Sequence, residues 1–184
     1  MDNFALRAAT PGDAPAIADL ANQYTYQQLD AAARQGGFLT GNFSGPALQA
    51  MLASVPGQVA HRHGELAGFV VNSRLAPTSY PPLVGAICAL LPTLFFRERA
   101  LADYRWFFYG PVLVAAEYRG HGLLRQLFAA TKLELTGRFD LGIAFIAEEN
   151  AASLRVHTQK LGLEVVGNLA FGDTSYAILA FAVG

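Results

Sequence analysis

The chain has 184 residues, enough for one domain with a substantial core, and 53% of them are hydrophobic against 15% charged. A net charge of −1 leaves no basic surplus to neutralise nucleic-acid phosphates, and the single cysteine, Cys88, cannot form an internal disulfide. The apolar run 83–96, broken by Pro92, is shorter than the roughly 20 residues a bilayer span requires, and no metal-ligating cluster is visible. Asp2 and Asn3 do not read as the start of a signal peptide. The expectation is therefore a cytoplasmic protein with no metal and with neither nucleic acid nor membrane as a partner. The apolar excess also points to a possible homodimer interface, alongside a large core.

In chain order, residues 4–9 read as a first strand. Asp13 is placed to cap a helix over 14–24, in which Ile17, Leu20, Ala21 and Tyr24 share a face. Residues 27–34 suggest a second helix. Gly36-Gly37, Gly41-Asn42 and Ser44-Gly45-Pro46 mark a broken loop, followed by a short helix to about residue 53. Residues 58–62 and 65–72 form a hairpin turning at His63-Gly64. His61 and His63 alternate along it without ligand partners and read as structural or solvated. Residues 75–82 are loop, and 83–96 is a buried helix or a lid over a pocket, ending at the polar break Arg97-Glu98-Arg99. A long strand follows at 105–114, then a helix at 123–135 and a strand at 141–147. Asn150 caps a helix that Gly162 ends, and strands at 163–169 and 175–183 close the chain. Strands interleaved with helices give an α/β fold.

The most informative stretch is Arg119-Gly120-His121-Gly122, because it joins the strand ending at Val114 to a helix with apolar residues at 123, 124, 127, 128 and 135. Glycines tighten such a turn and remove side chains that would block a ligand. The free N–H groups of the first helical turn, with the helix dipole behind them, then favour an anion such as phosphate. In the second capped helix Leu154, His157 and Leu161 fall on one face.

The string VLVAAEYRGHGLLRQLF (112–128) resembles motif A of the GNAT superfamily of acyl-CoA-dependent N-acetyltransferases: a strand, then Arg/Gln-x-x-Gly-x-Gly/Ala, then a helix. NAASLRVHTQKLGLEVVG (150–167) resembles the family's motif B, and FALRAATPGDAPAIADLA (4–21) resembles its opening strand and helix. The likeness covers nearly the whole chain as one domain. It implies a GNAT-like mixed, mostly antiparallel sheet of seven strands flanked by helices, the fourth and fifth parallel and splayed apart. It also implies acetyl-CoA as donor cosubstrate and a primary amine of a small molecule or peptide as acceptor. Two positions depart from the pattern: Leu124 stands at the last Gly/Ala site, and Ala115-Ala116 replaces the usual Asp-Pro.

Carried over residue by residue, the resemblance places the donor pyrophosphate on the backbone of Arg119, Gly120, His121, Gly122, Leu123, Leu124 and Arg125. The two arginines would add charge-assisted hydrogen bonds. The pantetheine arm would pair with Val112, Leu113 and Val114 and meet Asn150 and Ser153. Leu124 is expected to face the sheet. His157 stands where the family usually has tyrosine and is the candidate proton donor to the leaving thiolate; a packed core histidine is the other reading. Glu148 is the candidate base, beside Glu149. Three functions remain open: an N-acetyltransferase, a non-catalytic acyl-CoA sensor of the same fold, and an interaction module using the 83–96 run.

Overall fold

The computed structural model describes residues 4–184, and the polar opening Asp2-Asn3 lies outside the described residues. Seven strands form one sheet in the spatial order β1 (Ala5–Ala9), β2 (Val55–Arg62), β3 (Glu65–Ser73), β6 (Trp106–Val114), β7 (Leu141–Ala147), β9 (Thr174–Ala182) and β8 (Glu164–Phe171). Every neighbouring pair is antiparallel except β6–β7. The short strands β4 (Phe95–Phe96) and β5 (Arg99–Ala100) pair separately. His63 and Gly64, both at positive φ, make the β2–β3 turn.

Alternation along the strands separates two faces. Val59, Phe69 and Val71 pack under the helices α1 (Ala14–Asn22) and α3 (Gly45–Ser54). Val70, Phe107 and Tyr109 point the other way, beneath Leu123 and Leu127 of helix α5 (Leu123–Leu135). A third cluster joins Trp106, Phe108, Ile143 and Ile178 to helix α4 (Pro82–Leu90). The 83–96 run is thus a buried helix with its continuation, not a lid. Val84, Ile87, Leu91 and Phe96 are buried, while Phe95 remains 58% exposed.

The parallel pair is short. β6 meets β7 only at Trp106–Leu141, Phe107–Gly142 and Phe108–Ile143, after which the two strands diverge. On its other side β6 carries an extra residue. Val70 opposes Val112 while Asn72 opposes Tyr109, so Gly110-Pro111 forms a bulge.

Local differences from the sequence expectation have simple causes. Between the first helix and residue 30 the chain turns, and α2 spans only Ala31–Arg34. Asp13 does not cap α1. Its carboxylate accepts from Thr10 N at 2.8 Å and pairs with Arg7, closing a 3₁₀ turn one step earlier. The helix begun by Asn150 stays α-helical only over α6 (Ala151–Arg155), then widens into a π-helical turn, Val156–Lys160.

Gly142 sits where the parallel pair packs most closely against β9. A Cβ there would fall inside the Phe181 ring, itself wedged against Phe107, Tyr109 and Phe128. Gly142→Ala should cost about 1–3 kcal/mol in urea unfolding, the usual penalty of overpacking. A variant as stable as wild type would show that the ring yields freely.

Candidate active site

The divergence of β6 and β7 opens a cleft of about 540 Å³. Its walls are the end of β6, the turn before α5, the π-helical turn and a loop at residues 36–39. Val112, Leu113 and Val114 line it, as do Arg119, Gly120, Gly122, Leu123, Leu124 and Arg125. Gly120 (φ 84°) and Gly122 (φ 75°) are left-handed, and a Cβ at either would meet nothing within 4 Å. Gly122 is the N-cap of α5 and no side chain caps the helix. The N–H groups of its first turn therefore lack a side-chain acceptor among the described residues, beside a cleft lined by Arg125 and Lys160 as well as Arg119.

Several expected residues make contacts other than those expected, and some lie outside the cleft. The Arg119 guanidinium is committed inside the protein: Nε donates to Val114 O at 3.0 Å and Nη1 to Gly36 O at 3.0 Å. It fastens the 36–39 loop to the end of β6 instead of projecting as an anion clamp. His121 is exposed and does not line the cleft. Leu124 is half-buried on the cleft wall, not inserted against the sheet.

Asn150 is buried and also absent from the wall. Its Oδ1 accepts from Ser153 N at 3.4 Å and its Nδ2 donates to Phe38 O at 2.7 Å, so both ends of the amide serve the fold. Glu148 is exposed, outside the cleft, and accepts a hydrogen bond from the Asn168 side chain on β8. It does not face the cleft as a base would. Sequence reading missed the 36–39 loop. Its glycines marked it as irregular, but nothing local shows that Arg119 and Asn150 reach back to it across 83 and 112 residues.

Ser153 and His157 both line the cleft. His157 is 7% exposed and its ring packs edge-on against Tyr109, with centroids 6.1 Å apart. Nδ1 lies 2.8 Å from Ser153 O. A carbonyl only accepts, so Nδ1 carries the proton and, in the neutral ring, Nε2 keeps the lone pair. Burial pushes the imidazole pKa below its ordinary value, against a smaller opposing effect of the Ser153 carbonyl. Tyr109 is also buried, its hydroxyl has no hydrogen-bond partner among the described residues, and burial raises its pKa, so it stays a protonated phenol.

No family model matches the sequence, and no curated protein matches it. Solved structures do resemble it. A putative acetyltransferase of the GNAT family from Desulfovibrio desulfuricans superposes with a TM-score of 0.63 at 18% identity, covering 99% of this chain and 100% of that one. A putative acetyltransferase from Salmonella typhimurium, solved with its cofactor acetyl-CoA, gives 0.62 at 18% identity over 99% and 95%. A ribosomal-protein-alanine N-acetyltransferase from Brucella melitensis gives 0.61 at 23% identity over 97% and 99%. The chain has the GNAT acetyltransferase fold. Its splayed parallel pair, β6 and β7, are the fourth and fifth strands of the main sheet, as the motif resemblance implies. No helix among the described residues is long and apolar enough to cross a membrane, and no group of three or more His, Cys, Asp or Glu among them could hold a metal.

The buried imidazole has a consequence for stability. Its folded-state pKa lies below the unfolded value of about 6.5, so the unfolded chain takes up a proton first as pH falls. Stability from this site is complete above about pH 6.5 and is lost below it, down to the folded pKa. His157→Phe should therefore weaken the fall in urea midpoint between about pH 7.5 and about pH 5. An unchanged acid dependence would show that His157 is not held neutral.

Proposed function

We propose that the protein is an N-acyltransferase that moves an acetyl group from acetyl-CoA to a primary amine of a small molecule or peptide. The observation that carries this is one cleft with two complementary ends. The uncapped N-terminus of α5, with Arg125 and Lys160, offers donors to a pyrophosphate. Val112 to Val114 offer a backbone edge on which the amide-bearing pantetheine arm can lie as an added strand. The acetyl-CoA bound in the Salmonella neighbour supports this reading of the shared fold.

In the reaction a neutral amine attacks the thioester carbonyl carbon. A C–N bond forms, the C–S bond breaks, and the thiolate leaves with its electron pair. The proton lost by nitrogen must reach sulfur. A neutral His157 with Nδ1–H tied to Ser153 cannot begin as the donor, because its only proton faces a backbone carbonyl. Nε2 instead accepts the proton, and the resulting imidazolium passes it to the thiolate. This revises the simple proton-donor role. Tyr109, edge-on beside the ring, excludes water from that side. Catalysis then requires the unprotonated imidazole, so activity should fall as pH drops through the depressed His157 pKa. A pure donor would instead lose activity as pH rises. His157→Phe should preserve thermal stabilisation by acetyl-CoA and lower kcat by about 10²–10⁴-fold. A variant with wild-type kcat would remove His157 from the chemistry.

Gly122 tests the phosphate cradle. At φ 75° a β-branched residue is strained, and its side chain would occupy the open space before α5. Gly122→Val should lose most of the melting-temperature increase that acetyl-CoA gives the wild type. Equal stabilisation of both would place the donor elsewhere.

One observation favours a non-catalytic acyl-CoA-binding protein: among the described residues no carboxylate lines the cleft. Release of free thiol from acetyl-CoA, measured over a panel of amines, separates the two. Turnover above the uncatalysed rate excludes the sensor.

A further inference from the structure

A second cavity, of about 390 Å³, lies beyond the 36–39 loop. Residues 25–27 and 40–42 form one side, and Ala147, Glu149, Thr174 and Tyr176, at the ends of β7 and β9, form the other. Phe38 lines both this cavity and the donor cleft. A ligand in each would therefore approach the same residue from two sides. Phe38 is buried and held in place through its carbonyl by Asn150.

The lining has a definite chemical character. Phe38 and Tyr176 are buried aromatics, and Tyr26 meets Phe38 edge-on with centroids 5.0 Å apart. Thr25, Gln27, Thr40, Asn42 and Thr174 supply neutral hydrogen-bonding groups. Glu149 is the one charged residue in the lining, and it makes no hydrogen bond or ion pair among the described residues. Its neighbour Glu148 is occupied by Asn168. Arg34 is turned onto Tyr26, stacking over the ring at 3.9 Å and donating to the Tyr26 carbonyl, and it does not line the cavity.

We infer that this cavity takes a compact primary amine with an apolar or aromatic body and no carboxylate, which enters as its ammonium ion against the solvent-exposed Glu149 and releases one proton to solvent before the neutral amine attacks. The inference rests on the acyltransferase reading above and names the acceptor class for it. Aromatic faces favour the apolar body and attract the ammonium. Glu149 supplies the countercharge. A carboxylate on the ligand would find no cation in the lining and would be repelled by Glu149, so amino acids are disfavoured relative to the amines they resemble. The volume lies in the range of small-molecule sites and is too small for an extended peptide.

Matched pairs test this on the intact protein: phenethylamine against phenylalanine, and tyramine against tyrosine, with acetyl-CoA as donor and thiol release as readout. Each amine should exceed its amino acid in kcat/KM by at least ~10-fold, and Glu149→Gln should raise the amine KM by about 10-fold with little change in kcat. Titration of phenethylamine into CoA-saturated protein should show the same weakening in the variant. The thermal stabilisation by acetyl-CoA should not change in Glu149→Gln. Amino acids used as well as amines, an unchanged KM or binding constant in the variant, or no binding of either amine at ~10 mM would overturn the inference. Failure of wild type to be stabilised by acetyl-CoA would instead overturn the acyltransferase reading itself.

Discussion

The structure turns on the point where β6 stops pairing with β7. Pro111 has no N–H to give a ladder, and the extra residue at Gly110-Pro111 bends the strand away after Phe108. β7 keeps its bonds to β9 through to Ala147, so the sheet is not weakened there; only the seam between the two parallel strands opens. The other end of the seam is clamped. Arg105 donates through its backbone N–H and its guanidinium to Asp140, with Nη2 2.5 Å from Oδ1, and through Nη1 to Gly137 O at 2.9 Å. The pair holds the Asp140 carboxyl down to about 2. A pair of strands closed at its start and open at its end is a wedge, and the cleft lies along the β6 side of it.

The wedge alone would be an open trough. Its far wall is the 36–39 loop, which belongs to neither strand and is fastened by two side chains from the turns that follow them. Arg119 holds Gly36 and Asn150 holds Phe38. Both hydrogen bonds end on backbone carbonyls, so they fix the loop's path whatever its side chains are. Tyr24 adds a third tie, its hydroxyl accepting from Ala116 N at 2.9 Å. Residues that resemble a ligand-binding motif in sequence thus act here as fasteners that shape the cleft wall. Because Phe38 belongs to both cavities, the same ties also fix the place where the two meet.

The elements with strong periodicity were legible. The helix 123–135, the strands around it and the His63-Gly64 hairpin all have patterns that local physics enforces, and the glycine turn between strand and helix announced a site. The bulge was written in Gly110-Pro111 but was read through as continuous strand, because the flanking residues are uniformly apolar. The π-helical turn carrying His157 had no local signal; its wider path appears only in the backbone of the folded chain. The contacts of Arg119, Asn150 and Glu148 were not legible in the sequence for a common reason. Each side chain finds a partner far away in sequence, and a motif records the residue's type without recording what it touches. The second cavity has residues from loops separated by more than a hundred positions, and no spacing rule brings those together.

The sparse charge of the chain agrees with how its site is built. With 15% charged residues, the protein places few ionic side chains near the cleft, and one of those, Arg119, is spent on carbonyls. The anion-favouring potential arises mainly from the first turn of α5, where backbone dipoles are fixed by a 13-residue helix and need no side-chain ordering when a ligand arrives. The same economy governs the two buried titratable rings beside the cleft. His157 and Tyr109 are packed in apolar surroundings that disfavour charge on either, so each starts uncharged and any charge appears only transiently. A buried ring whose Nδ1–H is fixed by a backbone carbonyl has one tautomer and one orientation. The carbonyl that fixes it lies four residues earlier, in α6, while the ring itself is carried by the first part of the π-helical turn. A backbone contact that residue type and spacing do not record is therefore what leaves Nε2, and not Nδ1, as the ring nitrogen open to the proposed proton transfer.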